Sequence, residues 1–240
     1  VHSSLTGHNV KSRAHFTCVH YSYIHHSANR EFDLVDAADT AHPGSHAVLM
    51  GNVIVKEPQC KGNRGLVHFG QDGGREHDGT VHLVFNTIVD PFITPLVELS
   101  SPPAKARLAG NLVSDGGVRQ ANQRVAGVRN GAKEENVTGG YNWFSGGFSG
   151  VGGTRLDPAT NVFRRVVPGF AGPTRHDYRL TGEMAKAAET RLSIRSLDIP
   201  GVPGIRKDEK QAPLLWQYRH PLGKEERPKE NVLTMGAYGR

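Results

Sequence analysis

The sequence repeats one short phrase five times within its first 150 residues. Each copy holds an apolar pair or triple, then a small residue with Asn or a related polar residue, then a second apolar pair. The copies centre on Ser22, Asn52, Asn86, Asn111 and Asn142, so successive copies lie 25 to 34 residues apart. A period of about 20 to 50 residues is typical of solenoids, propellers and other arrays. The chain is therefore predicted to build an array of similar units.

Each unit also contains a second, shorter segment in which apolar and polar residues alternate. Examples are NVKSRA near Lys11, REFDLVDA near Leu34 and GLVHFGQD near Phe69. The 29 Gly and 14 Pro residues are scattered between the apolar runs and mark many tight turns. Before residue 180 no apolar set follows helical spacing over three turns, and β-branched residues dominate the apolar positions. The pattern predicts an all-β fold with two or three short strands per unit.

The recurring Asn has a physical explanation within such an array. Strands of stacked units lie about 4.8 Å apart, so equivalent Asn side chains can hydrogen-bond to each other along the stack. The sequence thus predicts an internal ladder of Asn52, Asn86, Asn111 and Asn142, with a structural role.

The chain resembles the right-handed parallel β-helix proteins of the pectate-lyase-like superfamily over about residues 5–180. The resemblance is carried by the phrases at 51–55, 85–89 and 110–116, and by two later pieces, HDYRL at 176–180 and MGAYG at 235–239. It implies a right-handed parallel β-helix, a solenoid, as the fold class. Because the first phrase begins almost at Val1, without a segment to cap the core, the chain is predicted either to be an N-terminally shortened piece of a longer solenoid or to have an unusual cap.

Two parts are expected along the chain. Residues 1–180 would form the coils of the β-helix. Residues 181–240 would pack on the solenoid, with one amphipathic helix within 181–197 that covers the C-terminal end of the core. An extended tail would follow, anchored by Trp216 and Tyr218. Cys18 and Cys60 are predicted to stay unpaired, with Cys18 as a small core residue.

Ionisable residues fall at outward positions of the shorter segments, if Val10 points inward. By this alternation the outward residues are Lys11, Arg13, Asp33, His68, Glu98 and Arg129. Such a row has two interpretations. It is either an ordinary solvated face or the floor of a substrate groove.

The segment NVKSRAHFTCVHYSYI resembles the lysine-serine coil of the chondroitinase B and alginate lyase family, in which that lysine is the base. Lysis of a uronic-acid polymer needs a base, a cation that stabilises the enolate, and an acid. The resemblance implies Lys11 as the base, and Arg13 and His68 complete the candidate catalytic set. The family's catalytic arginine has no counterpart here, because the corresponding positions, Leu34 to Asp36, hold Leu-Val-Asp. The family's calcium-binding acids would lie before Val1.

Further polar residues could bind the substrate. The glycine-rich loop at 71–79 is expected to form a groove wall. The candidate substrate-binding residues are Asp33, Asp36, Arg75, His77, Glu98 and Arg129.

No cofactor is expected apart from a possible Ca²⁺ ion. The acids Glu31, Asp33, Asp36 and Asp39 could bind Ca²⁺ or make ordinary turn contacts. The histidines lack the spacing of a known zinc site. The aspartate doublet of polygalacturonase-like glycosidases is absent.

Two functions remain open. The first is a carbohydrate-active or carbohydrate-binding protein, with a lyase that cleaves an acidic polysaccharide by β-elimination as the candidate enzyme. The second is a noncatalytic structural or glycan-binding module. A net charge of +6 and a pI of about 9.4 suit an anionic partner. Neither a nucleic-acid partner nor a membrane span is expected, and the protein would be a monomer or an edge-to-edge homo-oligomer. The family resemblance implies secretion or a cell-surface location.

Overall fold

The structure is a computed structural model of the chain. It describes residues 1–36, 44–72, 77–118, 122–148, 150–164, 166, 168–190, 192, 197, 199, 216–228 and 233–239.

Most of the strands in the described residues, 17 of 23, belong to three parallel sheets. The first sheet contains Val10–Ser12 (β1), Phe32–Val35 (β4), Val67–Gly70 (β7), Val97–Leu99 (β10) and Ala126–Val128 (β13). The second sheet contains Phe16–His20 (β2), His46–Met50 (β5), Thr80–Val84 (β8), Lys105–Ala109 (β11), Val137–Gly140 (β14) and Arg155–Leu156 (β16). The third sheet contains Tyr23–His25 (β3), Val53–Val55 (β6), Thr87–Val89 (β9), Leu112–Ser114 (β12), Trp143–Ser145 (β15) and Val162–Arg164 (β17).

The chain visits the three sheets in turn from β1 to β15. Within each sheet every strand pairs in parallel with the equivalent strand of the next unit. The all-β prediction is confirmed, and the topology is consistent with a parallel β-helix. The shorter alternating segments form the first sheet, whereas each repeated phrase spans a strand of the second sheet, a corner and a strand of the third.

The main apolar core lies between the three sheets. All of them contribute buried side chains to one cluster, among them Phe32, Leu49, Ile54, Leu83 and Ile88. Because side chains alternate along a strand, the residues between these point away from the core. The outer face of each sheet therefore carries the other half of each strand's side chains.

The predicted asparagine ladder is confirmed. The side-chain amide of Asn52 donates to Oδ1 of Asn86 at 3.1 Å, Asn86 donates to Asn111 at 3.0 Å, and Asn111 donates to Asn142 at 2.8 Å. The ladder continues one step further than predicted, because Asn142 donates to Asn161 at 2.9 Å. Except for Asn161, which is almost fully buried, these asparagines are completely buried.

A left-handed residue stands before each repeated polar position and turns the chain from the second sheet to the third. These residues are Tyr21, Gly51, Phe85, Gly110 and Tyr141, with φ between 49° and 68°. Glycine adopts this conformation without strain. At Gly110 a Cβ would also lie 2.8 Å from the ring of Phe85, so close packing excludes a side chain there.

The C-terminal region covers the outer face of the third sheet. It contains Phe170–Gly172 (β18), Asp177–Leu180 (β19), Gly182–Ala187 (α1), Glu189–Thr190 (β20), Trp216–Arg219 (β21), Gly223–Glu226 (β22) and Leu233–Thr234 (β23). Two 3₁₀ turns, Glu134–Asn136 and Pro173–Arg175, complete the assigned elements.

The single described α-helix differs from its prediction. Helix α1 is shorter than the helix that was expected within 181–197. Residues 191 and 193–196 of that segment lie outside the described residues. Met184 and Ala188 pack with Leu112 and Trp143, which are outward residues of the third sheet. The helix thus covers apolar residues on the outer face of the third sheet.

The described part of the tail forms a hairpin where an extended segment was predicted. Strands β21 and β22 form an antiparallel hairpin. Tyr218 is buried against Tyr23, Val53 and Val55, so it is an anchor as predicted, while Trp216 is partly exposed beneath Lys224. Residues 200–215 of the predicted tail lie outside the described residues.

Both cysteines are unpaired, as predicted. Cys18, however, is not a core residue. It is half-buried on the outer face of the second sheet, with its Sγ 2.8 Å from Nε2 of His20, because the alternation places Thr17 and Val19 on the other face.

Among the described residues, no helix has the length and apolar character needed to cross a membrane.

Histidine and tyrosine rings join the third sheet to the C-terminal region. His25 stacks on Tyr23 with ring centroids 4.0 Å apart, and the hydroxyl of Tyr23 lies 2.6 Å from Nδ1 of His176. His176 in turn stacks on His220 at 5.1 Å. Burial first, and then the neighbouring His26 and His2, lower the pKa of His25 from 6.5 to about 3.

This cluster predicts a loss of stability in mild acid. Between pH 6.5 and about 3 the unfolded chain binds a proton at His25 that the folded chain does not bind, so the free energy of unfolding should fall as the pH falls through this range. His25→Phe keeps an aromatic ring but binds no proton, so its loss should be smaller. Urea unfolding at several pH values measures both proteins, and parallel curves would contradict the prediction.

Candidate active site

Four ionisable residues lie in one row on the outer face of the first sheet. Lys11 pairs with Asp33, Asp33 with His68, and His68 with Glu98 along adjacent strands. Their neighbours Phe32, Phe69 and Leu99 point into the core. The row ends at Gly127 on β13, and Arg129 follows two residues later in the chain.

At the centre of the row His68 connects a carboxylate to a hydroxyl. Its Nδ1 lies 2.8 Å from Oδ1 of Asp33, and its Nε2 lies 2.6 Å from Oγ of Ser100. His68 is 2% exposed and Ser100 is fully buried. Ser100 also accepts a hydrogen bond from the amide of Gln71 at 3.0 Å.

The tautomer of His68 follows from its neighbours. A guanidinium nitrogen of Arg129 lies 3.0 Å from Nε2. Because a guanidinium donates and does not accept, Nε2 accepts this hydrogen bond, and the ring proton sits on Nδ1 and is donated to Asp33. The Nε2 lone pair is thus directed away from Asp33, towards the half-exposed side chain of Arg129.

Several basic side chains surround Asp33. Nζ of Lys11 lies 3.0 Å from its Oδ2, and Nε2 of His8 lies 3.3 Å away. Burial alone would raise the pKa of Asp33, but hydrogen bonds from His68 and Lys11 outweigh burial and hold this pKa well below its usual range. The hydrogen bond to Asp33 raises the pKa of Lys11, whereas burial lowers the pKa of His8.

Two arginines meet at Glu98. Arg30 and Arg129 each place a guanidinium nitrogen 3.0 Å from its Oε1. Arg30 is nearly buried and also lies 3.6 Å from Asp33. The Arg129 side chain is 46% exposed, so it can leave Glu98 and His68 at little cost in burial.

The turn after β7 brings a third carboxylate to the edge of the site. Asp72 lies 2.7 Å from Arg13 and 3.1 Å from Lys11. Hydrogen bonds from Arg13 and then Lys11 lower the pKa of Asp72. The buried Asp36 accepts from the Asp72 amide at 3.1 Å, so Asp36 shapes this turn.

One predicted substrate contact, His77, lies apart from the His68 site. His77 is 6% exposed, and its ring nitrogens lie 3.2 Å from the carbonyl oxygen of Gly70 and 3.1 Å from that of Ser45. These contacts fasten His77 to the array and turn its ring away from solvent, and its role as a substrate contact stays a prediction. Arg75 lies outside the described residues.

Two of the predicted Ca²⁺ ligands, Glu31 and Asp33, bind different partners. Glu31 is fully buried and accepts from the amide of Ser27, with Nζ of Lys56 3.6 Å away, whereas Asp33 joins the His68 site. Asp39 lies outside the described residues. In the part of the chain that is described, no three His, Cys, Asp or Glu side chains are grouped to hold a metal ion.

Sequence reasoning missed four members of the site: His8, Arg30, Asp72 and Ser100. Ser100 had a usable signal, because it follows Glu98 by two residues and shares its outward phase. Arg30 and Asp72 lie in turns, where alternation predicts no direction. Arg30 and Arg129 both bring a guanidinium to the site, although the arginine position of the resembled family is empty.

The site combines a histidine oriented for proton transfer with several cations that can bind an anion. Asp33 fixes the ring of His68, as an orienting carboxylate does for a general base. Lys11, Arg13 and Arg129 are partly exposed and cationic. Comparison of the chain with models of protein families, with curated proteins and with solved structures finds no match.

Proposed function

We propose that the protein is a lyase that cleaves an acidic polysaccharide by β-elimination on the outer face of the first sheet. The observation that carries this proposal is the geometry of His68, whose Nδ1 is held by Asp33 while its Nε2 accepts from a half-exposed arginine. A substrate carboxylate that attracts Arg129 would remove one of the two hydrogen-bond partners of the basic nitrogen of His68, the other being the hydroxyl of Ser100.

In this proposal His68 is the base. Its Nε2 takes the proton from the carbon next to the uronate carboxylate, and the C–H electron pair forms the new carbon–carbon double bond as the bond to the glycosidic oxygen breaks. Arg129, with Arg30 behind it, stabilises the negative charge on the carboxylate during this step.

Lys11 fits a different role from the one implied by the family resemblance. Its pKa is raised by Asp33, so its amine stays protonated at neutral pH. An ammonium suits a proton donor to the departing oxygen, and a substrate-binding cation, better than a base. Arg13 and Asp72 would complete the rim beside it.

The wider expectations belong to the same proposal. The fold would be a right-handed parallel β-helix of the pectate-lyase-like superfamily, with residues 181–240 packed on its side. Such a protein would act outside the cytoplasm, where acidic polysaccharides occur. The positive net charge supports attraction of a polyanion.

A hydrolase is the second candidate, because Asp33, His68 and Ser100 are connected like a serine nucleophile and its base. The buried hydroxyl of Ser100 also lies 3.3 Å from the carbonyl oxygen of Gln71, which competes with His68 for its proton, and this favours elimination instead. Ser100→Ala should therefore leave elimination within about tenfold of the wild-type rate, whereas loss of a nucleophile would remove hydrolysis altogether. Rates of uronate elimination and of ester hydrolysis for the two proteins separate these cases.

The proposal is tested with the purified chain and with alginate, chondroitin, hyaluronan, heparin and pectate, each with and without Ca²⁺. Ultraviolet absorbance of an unsaturated uronate should rise with at least one polymer. If neither absorbance nor reducing ends increase with any of them, the noncatalytic glycan-binding function replaces the lyase.

A further inference from the structure

A second polar groove lies on the outer face of the second sheet, away from His68. It encloses about 460 Å³, and we call it the second-sheet groove. The residues that matter for its chemistry are His46, Thr80, Lys105, Arg107, Thr138 and Arg155.

The strand register builds this groove from consecutive units. Arg107 pairs with His82 on one side and with Thr138 on the other, and Thr138 pairs with Arg155. The inward neighbours Ala106 and Leu108 belong to the core, so the paired residues point outward. Successive members are one strand spacing apart, about 4.8 Å, which is close to the length of one sugar residue in an extended chain.

Two cations in the groove have no anionic partner within the described part of the chain. Among the described residues, no carboxylate oxygen lies within ion-pair distance of Lys105 or Arg107, although Arg155 is held by Glu135 at 2.7 Å. Lys105 is exposed and Arg107 is half-exposed. A cation without a carboxylate partner can form a charge-assisted hydrogen bond to an incoming anion without first breaking an ion pair.

The wall of the groove adds a further donor. Nδ1 of His46 accepts from the amide of Thr80 at 3.1 Å, so the proton of the neutral ring is on Nε2. Asn136 fixes the opposite wall, because its side-chain amide donates to the carbonyl oxygens of Pro102 and Ala104 at 3.0 and 3.1 Å. The groove thus presents hydrogen-bond donors on a rigid frame.

We infer that the second-sheet groove is an accessory site for the carboxylate or sulfate groups of an acidic polysaccharide. The class of ligand rests on the proposed function, but the binding itself does not require turnover. The turn from Ser100 to Ala104 connects the His68 site to this groove, since Lys105 begins the strand that follows it. A long anionic chain can therefore contact both faces, whereas a short oligosaccharide is confined to one.

The test is a double variant, Lys105→Gln with Arg107→Gln, compared with wild type by calorimetric titration of heparin and of polygalacturonate. Loss of two charge-assisted contacts should weaken binding about tenfold or more. Lys61→Gln with Arg124→Gln removes the same charge from exposed residues outside the groove, and it should bind within about twofold of wild type. Lys105→Arg with Arg107→Lys retains the charges and should bind like wild type.

Three results would overturn the inference: unchanged binding by the double variant, an equal loss in the charge-matched control, or inorganic sulfate that binds as tightly as the polymers. Elimination from short oligosaccharides, measured on the same variants, reports the His68 site separately. If the wild-type protein shows no elimination but binds the polymers in a way that depends on Lys105 and Arg107, the lyase function is rejected and the binding site in the groove is retained.

Discussion

Replacement of His68 by glutamine is expected to lower kcat/KM for uronate elimination by about 10²- to 10⁴-fold, the usual contribution of a general base. Glutamine can still hydrogen-bond to Asp33, but it cannot take a proton from the substrate. Because the substrate carboxylate is bound mainly by Arg129 and Lys11 in this mechanism, KM should change much less than kcat. Initial rates of ultraviolet absorbance over a range of polymer concentrations give both constants.

Two further variants make this result interpretable. His2→Gln changes a histidine that pairs with His25 beside the third sheet, outside the His68 site, and should leave the rate unchanged. Lys11→Ala should lower the rate less than His68→Gln, because a proton for the departing oxygen can also come from water. If Lys11→Ala abolishes elimination while His68→Gln keeps it, the roles are reversed and Lys11 is the base. Thermal unfolding of each variant shows whether the buried site has kept its fold.

The row of ionisable residues was predictable because strand geometry determines side-chain direction. Once a short segment is assigned to a strand and one apolar residue is placed inside, every second residue must point outward. This reasoning identified Lys11, Asp33, His68 and Glu98 as neighbours without any knowledge of the units' lengths. It also identified the asparagine ladder, since identical positions in stacked units must meet.

Turns and long side chains limited the rest of the prediction. Arg30 reaches Asp33 and Glu98 from a turn, and Arg129 reaches His68 from outside the row, because a guanidinium on a flexible stem is not confined to its own strand. His77 lies in a loop whose glycines indicate openness, yet its ring is drawn inward by backbone carbonyls and by Phe69. Local patterns carry no information on such tertiary contacts.

The position of the C-terminal region shows the same limit. An amphipathic helix must cover an apolar surface, but the sequence of α1 does not say which one. The outer residues Leu112 and Trp143 could have been read as a second apolar surface, because they occupy the phase opposite to the buried Val113 and Phe144. That outer apolar phase is the signal that a further segment packs there.

The asparagine ladder should be among the largest contributors to stability. Asn111 donates to the carbonyl of Leu83 at 2.7 Å and to Asn142, and its Oδ1 accepts from the amide and the side chain of Asn86. In Asn111→Ala several fully buried groups lose a partner that water cannot replace. At about 1–3 kcal/mol for each group left unsatisfied, the free energy of unfolding should fall by about 3–5 kcal/mol.

The end of the ladder supplies the matched control. Asn161 makes comparable bonds, with Asn142 among its partners, but lies at the last position of the stack and is slightly exposed. Water can therefore replace part of what Asn161→Ala removes, and the loss there should be about 1–2 kcal/mol. Urea unfolding of both variants measures the difference. Equal losses would mean that the interior of the ladder is no more costly to break than its end, so that the repeated asparagine serves the left-handed corner and not the stack.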